Sequence, residues 1–525
     1  MATGAESWVL GLLLLVVSLL YLLYRYVRSS RHYFKTRGIP YLEPGPFLQD
    51  RHEVTSKAGS DQAVLLYNYF PGERYFGYFL NGLPTLVIKD TELIHRISVK
   101  DFIHFEDNGF KHVFGFLVTQ NLFNLKGKTW RSLRAKLSPT FTSGKLKRMF
   151  NQLDKSCEHL VQTLGESCGE PLDTKKITSR YVLEVIASIA FGLDLSKNAQ
   201  SAEFVQNSTS LYATGYQMTL IQILGMVSYK LVNLLGLSMY KREVEHYFQN
   251  LTKQTKEYRR KNKIERDDYF QLLLALQEEE ESGKTLLAKW DNEDDSLINK
   301  ANGLPQQAKG SKLLTDECIT AQAFGFLTGG SDSVATTLMW ALYHIAKDPA
   351  IQARAVQEAE SCLSQNGGWT FQTVKDMVYL DMVIQETLRL YPASPLSLKE
   401  CTVPYRLPGS DAILEKGTIV LIPVTGLHMD PEIYPDPRKF DPERFADNNY
   451  KPSATYRPFG DGPRICLAMR LAIMEIKVCL ARVLTQFSVS VDKKTQEPFA
   501  LDPMSFPPNP VGGVWLRFHE KKVTL

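Results

Sequence analysis

Paired cysteines are missing from this chain. Its 525 residues contain seven cysteines, and no two of them form a C-x-x-C pair. Their odd number and their scatter argue against a disulfide framework and against a zinc site. A body that faces a reducing, cytosolic environment fits this usage best. The seven are Cys157, Cys168, Cys318, Cys362, Cys401, Cys466 and Cys479.

The chain also lacks a strong charge of either sign, internal repeats and a nucleotide-binding motif. Charged residues make up 22% of it, hydrophobic residues 44%, and the net charge is +4. That balance is ordinary for a globular protein and gives no reason to expect nucleic-acid binding. Because no dinucleotide or flavin motif is evident, electrons for any redox reaction must come from a partner protein.

A long uncharged run does occur near the N-terminus. Residues Trp8–Tyr24 contain no charged side chain, and as a helix they would span about 26 Å, close to the roughly 27 Å core of an endoplasmic reticulum bilayer. No basic residue precedes the run and no small-residue cleavage site follows it, which argues against a cleaved signal peptide. Basic residues between Arg25 and Arg37 favour a cytosolic body. We therefore predict an uncleaved transmembrane anchor within residues 1–30.

The rest of the sequence predicts a mainly α-helical fold with a minor β-sheet region. From Thr91 to about Tyr391, long stretches carry apolar residues at helical spacing. The acidic stretch Gln277–Lys312 is predicted to be a solvated, mobile loop. Strands are predicted at Tyr75–Phe79 and Thr85–Ile88 around the turn Asn81-Gly82, and again at Ile419–Val424 and Gly513–Phe518.

The most informative segment is a glycine-rich run that surrounds one cysteine. Residues 459–468 read FGDGPRICLA, with Arg464 two residues before Cys466 and an amphipathic helix after it. Glycines and a proline shape a rigid turn, which could hold one thiolate beneath a metal centre. The alternative is a buried structural cysteine, the commoner fate of a free cysteine.

This run resembles the haem-binding signature F-x-x-G-x-R-x-C-x-G of the cytochrome P-450 superfamily, the haem-thiolate monooxygenases. The resemblance implies haem b with Cys466 as axial iron ligand and Arg464 as a propionate partner. Phe459 would shield the sulfur, and Gly462 would let the backbone pass close to the ring. Ala468 replaces the final glycine, a change expected to affect packing rather than ligation. An axial thiolate favours O–O cleavage, so oxygen activation is expected rather than oxygen transport.

One long helix is predicted from Thr315 to Lys347, with Thr315 as its N-cap. Midway, Gly329-Gly330 weakens it, since each glycine costs about 1 kcal/mol relative to alanine. Close packing could explain a single glycine, whereas a weakened turn could open and leave carbonyls free for water.

The family carries an A/G-G-x-D/E-T motif in this helix. The resemblance implies that Asp332 and Ser333 deliver protons to oxygen through ordered water. Ser333 replaces the usual threonine and lacks the methyl group that fixes the rotamer. Thr336 and Thr337 are expected to face the helix and to be structural.

Two further motifs match the family. Glu386 and Arg389 lie three residues apart on one helical face in apolar surroundings; with Arg444 of Pro442-Glu443-Arg444-Phe445 they imply a structural network that locks the cysteine loop. Trp130 and Arg134 match a W-x-x-x-R helix whose indole N–H and guanidinium suit a haem propionate.

Two residues and one cluster are less specific indicators of the family than these motifs. Lys399 lies where the family often has an arginine for the second propionate, and it keeps the charge without the bidentate fork. His428, near Asp430-Pro431, is expected to be a structural loop histidine. A basic cluster around Trp130 is either a solvated face or the docking surface of an acidic reductase; it consists of Lys126, Lys128, Arg131, Lys136, Lys145, Lys147 and Arg148.

The resemblance covers the chain from Pro40 to the tail and implies one catalytic domain in residues 31–525. It implies a monooxygenase of the endoplasmic reticulum, most like animal microsomal members that include insect detoxification enzymes. Expected partners are NADPH–cytochrome reductase, cytochrome b5, O2, membrane lipid and a lipophilic substrate, whose pocket the apolar segment Met218–Tyr240 would roof. Two alternatives are a haem-thiolate isomerase or dehydratase, and a non-catalytic haem-binding membrane protein.

Overall fold

The computed structural model describes residues 32–45, 52–80, 82–109, 115–195, 200–212, 234–283, 312–448 and 452–521, with isolated residues between 17 and 21 and between 216 and 232. The predicted anchor Trp8–Tyr24 and most of Met218–Tyr240 therefore lie outside the described residues. Within the described ranges, no helix is both long enough and apolar enough to cross a bilayer.

Helices predominate in the described part of the chain, which confirms the predicted mainly α-helical class. The α-helices are α1 His52–Thr55, α2 Gly59–Asn68, α3 Thr91–His95, α4 Phe116–Thr119, α5 Gly127–Leu137, α6 Ser143–Glu166, α7 Thr174–Phe191, α8 Gln200–Thr209, α9 Arg242–Asn262, α10 Tyr269–Ser282, α11 Asp316–Lys347, α12 Pro349–Asn366, α13 Phe371–Lys375, α14 Val378–Leu390, α15 Val424–His428 and α16 Met469–Gln486.

Three small sheets accompany the helices in the described ranges. The largest has five strands in the order β1-β2-β8-β5-β3; β2 and β8 are parallel, and its other neighbours are antiparallel. A three-stranded sheet has the order β4-β10-β9, and β6 pairs with β7. The strands are β1 Tyr75–Leu80, β2 Leu83–Ile88, β3 Asp107–Asn108, β4 Leu172–Asp173, β5 Leu396–Glu400, β6 Tyr405–Arg406, β7 Ile413–Leu414, β8 Ile419–Pro423, β9 Phe487–Val491 and β10 Trp515–Glu520.

Helix α11 begins and ends close to where the sequence predicts. Its N-cap is Thr315, whose side chain accepts a hydrogen bond from the amide of Cys318. The helix packs chiefly against α7, and both contribute to the main hydrophobic core together with α6, α14 and α16. This core holds α11 and α16 in fixed positions, so that the residues on them keep a defined geometry.

Two predictions of the sequence analysis were wrong in part. Helix α11 stays continuous through Gly329-Gly330, and the Ser333 hydroxyl donates to Gly329 O at 2.7 Å, so that carbonyl is not left free for water. The stretch Gln277–Lys312 does not begin as a loop. Residues up to Ser282 continue helix α10, where Gln277 is buried and Glu280 forms an ion pair with Lys136; residues 284–311 lie outside the described ranges.

Candidate functional site

The cysteine run folds into a tight loop that leads into α16. The Phe459 carbonyl accepts from the Cys466 amide at 2.9 Å, and the Asp461 side chain accepts from the Gly462 amide at 2.7 Å. Gly462 has φ +72°, and a Cβ atom there would collide with the carbonyl oxygen of Ser98. A glycine is therefore needed because of the neighbouring backbone at Ser98, a reason that differs from the predicted approach to a ring.

The side chain of Cys466 is accessible, although its thiol lies among protein atoms. Its side chain is exposed, yet burial raises the pKa of its thiol. Part of the residue is therefore accessible, while many protein atoms surround its thiol. The Ala468 amide and the charge of Arg134 oppose this rise in pKa without cancelling it, so these two groups are the ones that would stabilise a thiolate at this position.

Arg464 ties the cysteine loop to the segment before α5. Its Nε donates to Glu106 O at 2.7 Å, its Nη2 donates to Leu125 O at 2.8 Å, and its guanidinium lies 4.0 Å from the ring centroid of Trp130. Burial lowers its pKa to about 10. The structure thus brings Trp130 and Arg464 together, while backbone carbonyls already use much of the donor capacity of Arg464.

Three more buried cations lie in this region. Arg134 is 6% exposed and its Nε has no hydrogen-bond partner among the described residues. Lys399, on β5, is 5% exposed, and burial followed by the charges of Arg464 and Arg457 lowers its pKa to about 7. Arg457 is buried, its Nε and Nη1 are likewise unpartnered within the described residues, and Asp461 is the charged neighbour that opposes the fall of its pKa. Such a group of buried cations calls for an anionic ligand.

The acid predicted for proton delivery has a partner that the sequence analysis did not identify. Asp332 Oδ1 lies 3.0 Å from Nζ of Lys175 on α7. Burial lowers the pKa of Lys175, and the charge of Asp332 opposes that shift. Ser333 lies next to Asp332, but its hydroxyl donates to Gly329 O of its own helix. A Cβ atom at Gly329 would meet no atom within 4 Å, so this side of α11 borders open space.

The predicted structural network is assembled as a buried unit. Arg389 donates from Nε to Glu386 Oε2 at 2.7 Å and from Nη2 to Glu386 Oε1 at 2.8 Å, and both residues are 0% exposed. Arg444 Nε lies 3.5 Å from Glu386 Oε1 without a hydrogen bond, and Arg444 Nη2 donates to Asp436 O. The two arginines thus contribute unequally to holding the Glu386 carboxylate.

His428 connects this network to the cysteine loop. It ends the short helix α15 rather than lying in a loop, and it is 0% exposed. Its Nδ1 lies 3.0 Å from Arg389 O, and its Nε2 accepts from the Arg457 amide at 3.1 Å. Burial lowers its pKa to about 3, so the ring is neutral and Nδ1 is the donor. The predicted structural role fits these contacts.

Comparison with known proteins decides the family. A family model described as Cytochrome P450 matches residues 40–515. The chain belongs to the cytochrome P450 family. It is 32% identical over 516 residues to cytochrome P450 6k1 of Blattella germanica, with 96% of each chain covered. It is 35% identical over 517 residues to probable cytochrome P450 6a13 of Drosophila melanogaster, with 97% of this chain and 98% of the relative covered. The predicted likeness to insect members is confirmed.

As a cytochrome P450, the protein is a haem-thiolate monooxygenase that uses a redox partner and a substrate. The residues present fit a haem. Cys466 has an accessible side chain, Arg134 has a buried nitrogen with no hydrogen-bond partner in the described part of the chain, and α11 leaves room beside Gly329. Cys466 would ligate the iron, while Trp130, Arg134 and Lys399 would hold the propionates.

The basic cluster of this P450 is smaller than its sequence suggests. Four of its members form ion pairs, and Lys145 is buried with its amine donating to Pro139 O at 2.8 Å. Carboxylates distant in sequence therefore neutralise much of the charge expected to attract a reductase. The pairs are Lys126–Glu400, Arg131–Glu106, Lys136–Glu280 and Arg148–Asp267.

Replacing Lys399 with methionine should weaken haem retention. Loss of one charge-assisted hydrogen bond to a propionate is expected to accelerate haem transfer to an acceptor protein by about tenfold. A propionate would raise the lysine pKa above its haem-free value of about 7. The contribution of Lys399 is therefore complete below pH 7 and declines as the pH rises through the haem-bound pKa.

Transfer rates of the wild type, Lys399→Met and Lys399→Arg across this pH range check the prediction. The arginine variant, which stays charged, should retain haem at alkaline pH. Equal rates for all three proteins would show that Lys399 does not contact the haem.

Proposed function

We propose that this cytochrome P450 is anchored in the endoplasmic reticulum membrane and oxidises lipophilic compounds with electrons from NADPH–cytochrome reductase, with cytochrome b5 as a second donor. One oxygen atom would enter the substrate and the other would leave as water. The observation that carries the proposal is the accessible thiol of Cys466, which lies deep in the protein beside the buried cation Arg134.

The haem, when bound through the Cys466 thiolate, supplies oxygen activation. The chain's own residues perform the remaining tasks. Asp332 would pass protons from solvent, since its carboxylate is 60% exposed while Lys175 holds it in place. The Ser333 hydroxyl lies beside the open space at Gly329, and it would position a water by rotating away from Gly329 O.

Replacing Ser333 with alanine tests this assignment. Oxygenation should fall by about one to two orders of magnitude, because the hydroxyl that helps to place the proton-carrying water is lost. More of the reduced oxygen should be released as hydrogen peroxide per NADPH consumed, while haem content stays unchanged. Peroxide and NADPH are measured in the reductase-reconstituted enzyme.

Two matched variants sharpen that experiment. Thr337 is a nearby residue of α11 whose hydroxyl also donates to the carbonyl four residues earlier, at 2.8 Å, so Thr337→Val should leave coupling near the wild-type value. Ser333→Thr keeps the hydroxyl and should preserve coupling. If Ser333→Ala and Thr337→Val behaved alike, the role of Ser333 would be disproved.

The membrane proposal rests on the uncharged run Trp8–Tyr24 and on the basic residues that follow it. We expect the full chain to stay with membranes after alkaline carbonate extraction and a chain lacking residues 1–30 to be released substantially. Extraction followed by immunodetection measures this. Complete release of the full chain would contradict an integral anchor.

The substrate class is proposed from the apolar segment Met218–Tyr240 and from the likeness to insect P450s. Foreign toxicants and endogenous lipids or hormones both have the required apolar character. Titrating the purified enzyme with a panel of lipophilic compounds and recording type-I spectral shifts would rank them.

A further inference from the structure

A chain of hydrogen bonds links the C-terminal hairpin to Asp332. Antiparallel pairing of its end residues closes the hairpin Leu501–Pro510, and Asn509 lies at its base. The Asn509 Nδ2 donates to Ser505 Oγ at 2.8 Å, and its Oδ1 accepts from Thr336 Oγ1 at 3.2 Å. Because both ends of the amide are engaged, its orientation is defined by the hydrogen bonds on either side.

Thr336 differs from four other serine and threonine residues of α11. They donate their hydroxyl hydrogen to the carbonyl oxygen four residues earlier in the same helix, as is usual for serine and threonine. Those that do so are Thr320, Thr328, Ser333 and Thr337. Thr336 donates to Asn509 instead, and this leaves its own i–4 acceptor, the Asp332 carbonyl, open to another donor.

That donor is Lys175 from helix α7. Its Nζ lies 3.2 Å from Asp332 O, 2.8 Å from Thr336 Oγ1 and 3.0 Å from Asp332 Oδ1. A hydroxyl has one hydrogen, so directing it toward Asn509 turns the oxygen lone pairs of Thr336 toward Lys175. The ammonium group is therefore held by three oxygens, all on one turn of α11.

We infer that Asn509 is a positioning residue for Asp332. By drawing the Thr336 hydroxyl hydrogen away from the helix backbone, Asn509 keeps Lys175 on both the carbonyl and the carboxylate of Asp332. This inference rests on the proposed proton-delivery role of Asp332. Without the amide, the Thr336 hydroxyl would donate to Asp332 O as its neighbours do, and Lys175 would be displaced.

The test compares Asn509→Leu, Thr336→Val and the double variant in the reductase-reconstituted holoenzyme without added substrate. Hydrogen peroxide released per NADPH oxidised is measured from pH 6 to 9, together with the solvent deuterium isotope effect. Each single variant should change the peroxide fraction by about threefold, the scale of one lost hydrogen bond, and should shift its pH profile. The double variant should match Thr336→Val, since Asn509 acts through that hydroxyl.

Two further proteins separate the possible failures. Asn366→Leu removes an amide whose Nδ2 donates to Cys362 O, remote in sequence from the α11 contacts, and should behave as wild type. Asp332→Asn should change both readouts. If it changes neither, the proposed role of Asp332 is wrong. If Asp332→Asn changes them but Asn509→Leu does not, or if the two single variants add in the double variant, only the inference about Asn509 is overturned. Haem content, measured for every variant, reports folding.

Discussion

The Cys466→Ser protein should lose the red-shifted Soret band of the reduced carbon monoxide complex completely. The family assignment requires a thiolate ligand, and a serine hydroxyl cannot supply the electron density that produces this band. Cys466 is an exposed cysteine whose thiol is nonetheless surrounded by protein atoms, and its neighbours include the Ala468 amide and the charge of Arg134. Monooxygenase turnover should fall below detection in the same preparation.

A second cysteine provides the matched control. Cys479 lies on α16, the helix that follows the cysteine loop, and is 0% exposed. Burial also raises the pKa of its thiol well above the ordinary value, and a sulfur at 0% exposure is closed off from a cofactor. Cys479→Ala should therefore retain the band. Retention of the band by Cys466→Ser would refute the assigned ligand.

The parts of the site that sequence analysis predicted are those with local spacing. The N-cap of α11 at Thr315, the i, i+3 pair of Glu386 and Arg389, and the turn before Cys466 each depend on residues close together in the chain. Local hydrogen-bonding rules are enough to place such features. The strands β1, β2 and β8 were also found within a few residues of their predicted ends.

The parts that it missed depend on contacts between distant segments. Lys175 and Asp332 are 157 residues apart, and Thr336 and Asn509 are 173 residues apart. A lysine in Thr174-Lys175-Lys176 has no local feature that distinguishes it from a solvated one. The same reason explains why the sequence overstated the charge of the basic cluster, because Glu106, Glu280 and Glu400 approach it only in the folded chain.

Removing Arg389 should destabilise the protein more than removing Arg444, the other cation of the structural network. Glu386 is 0% exposed, and Arg389→Met would leave its carboxylate with one amide donor, from Asp441 at 2.9 Å, and with Arg444 at 3.5 Å. An uncompensated buried charge costs about 3–5 kcal/mol. Since many domains are stable by only about 5–15 kcal/mol, little haem-loaded protein should accumulate at growth temperature.

The measurement is the urea concentration at which half of the thiolate–carbon monoxide signal is lost, compared across three variants. Arg444→Met should lower it less than Arg389→Met, because Arg444 makes no hydrogen bond to Glu386 in the described structure. Arg406→Met removes a cation from a surface pair with Asp411. It should change this urea concentration little, since water already solvates both groups. Because Arg389 Nη1 also donates to His428 O at 2.7 Å, its loss should loosen the link to the cysteine loop. If Arg406→Met and Arg389→Met lowered this urea concentration equally, burial of the Glu386–Arg389 pair would not determine its contribution to stability.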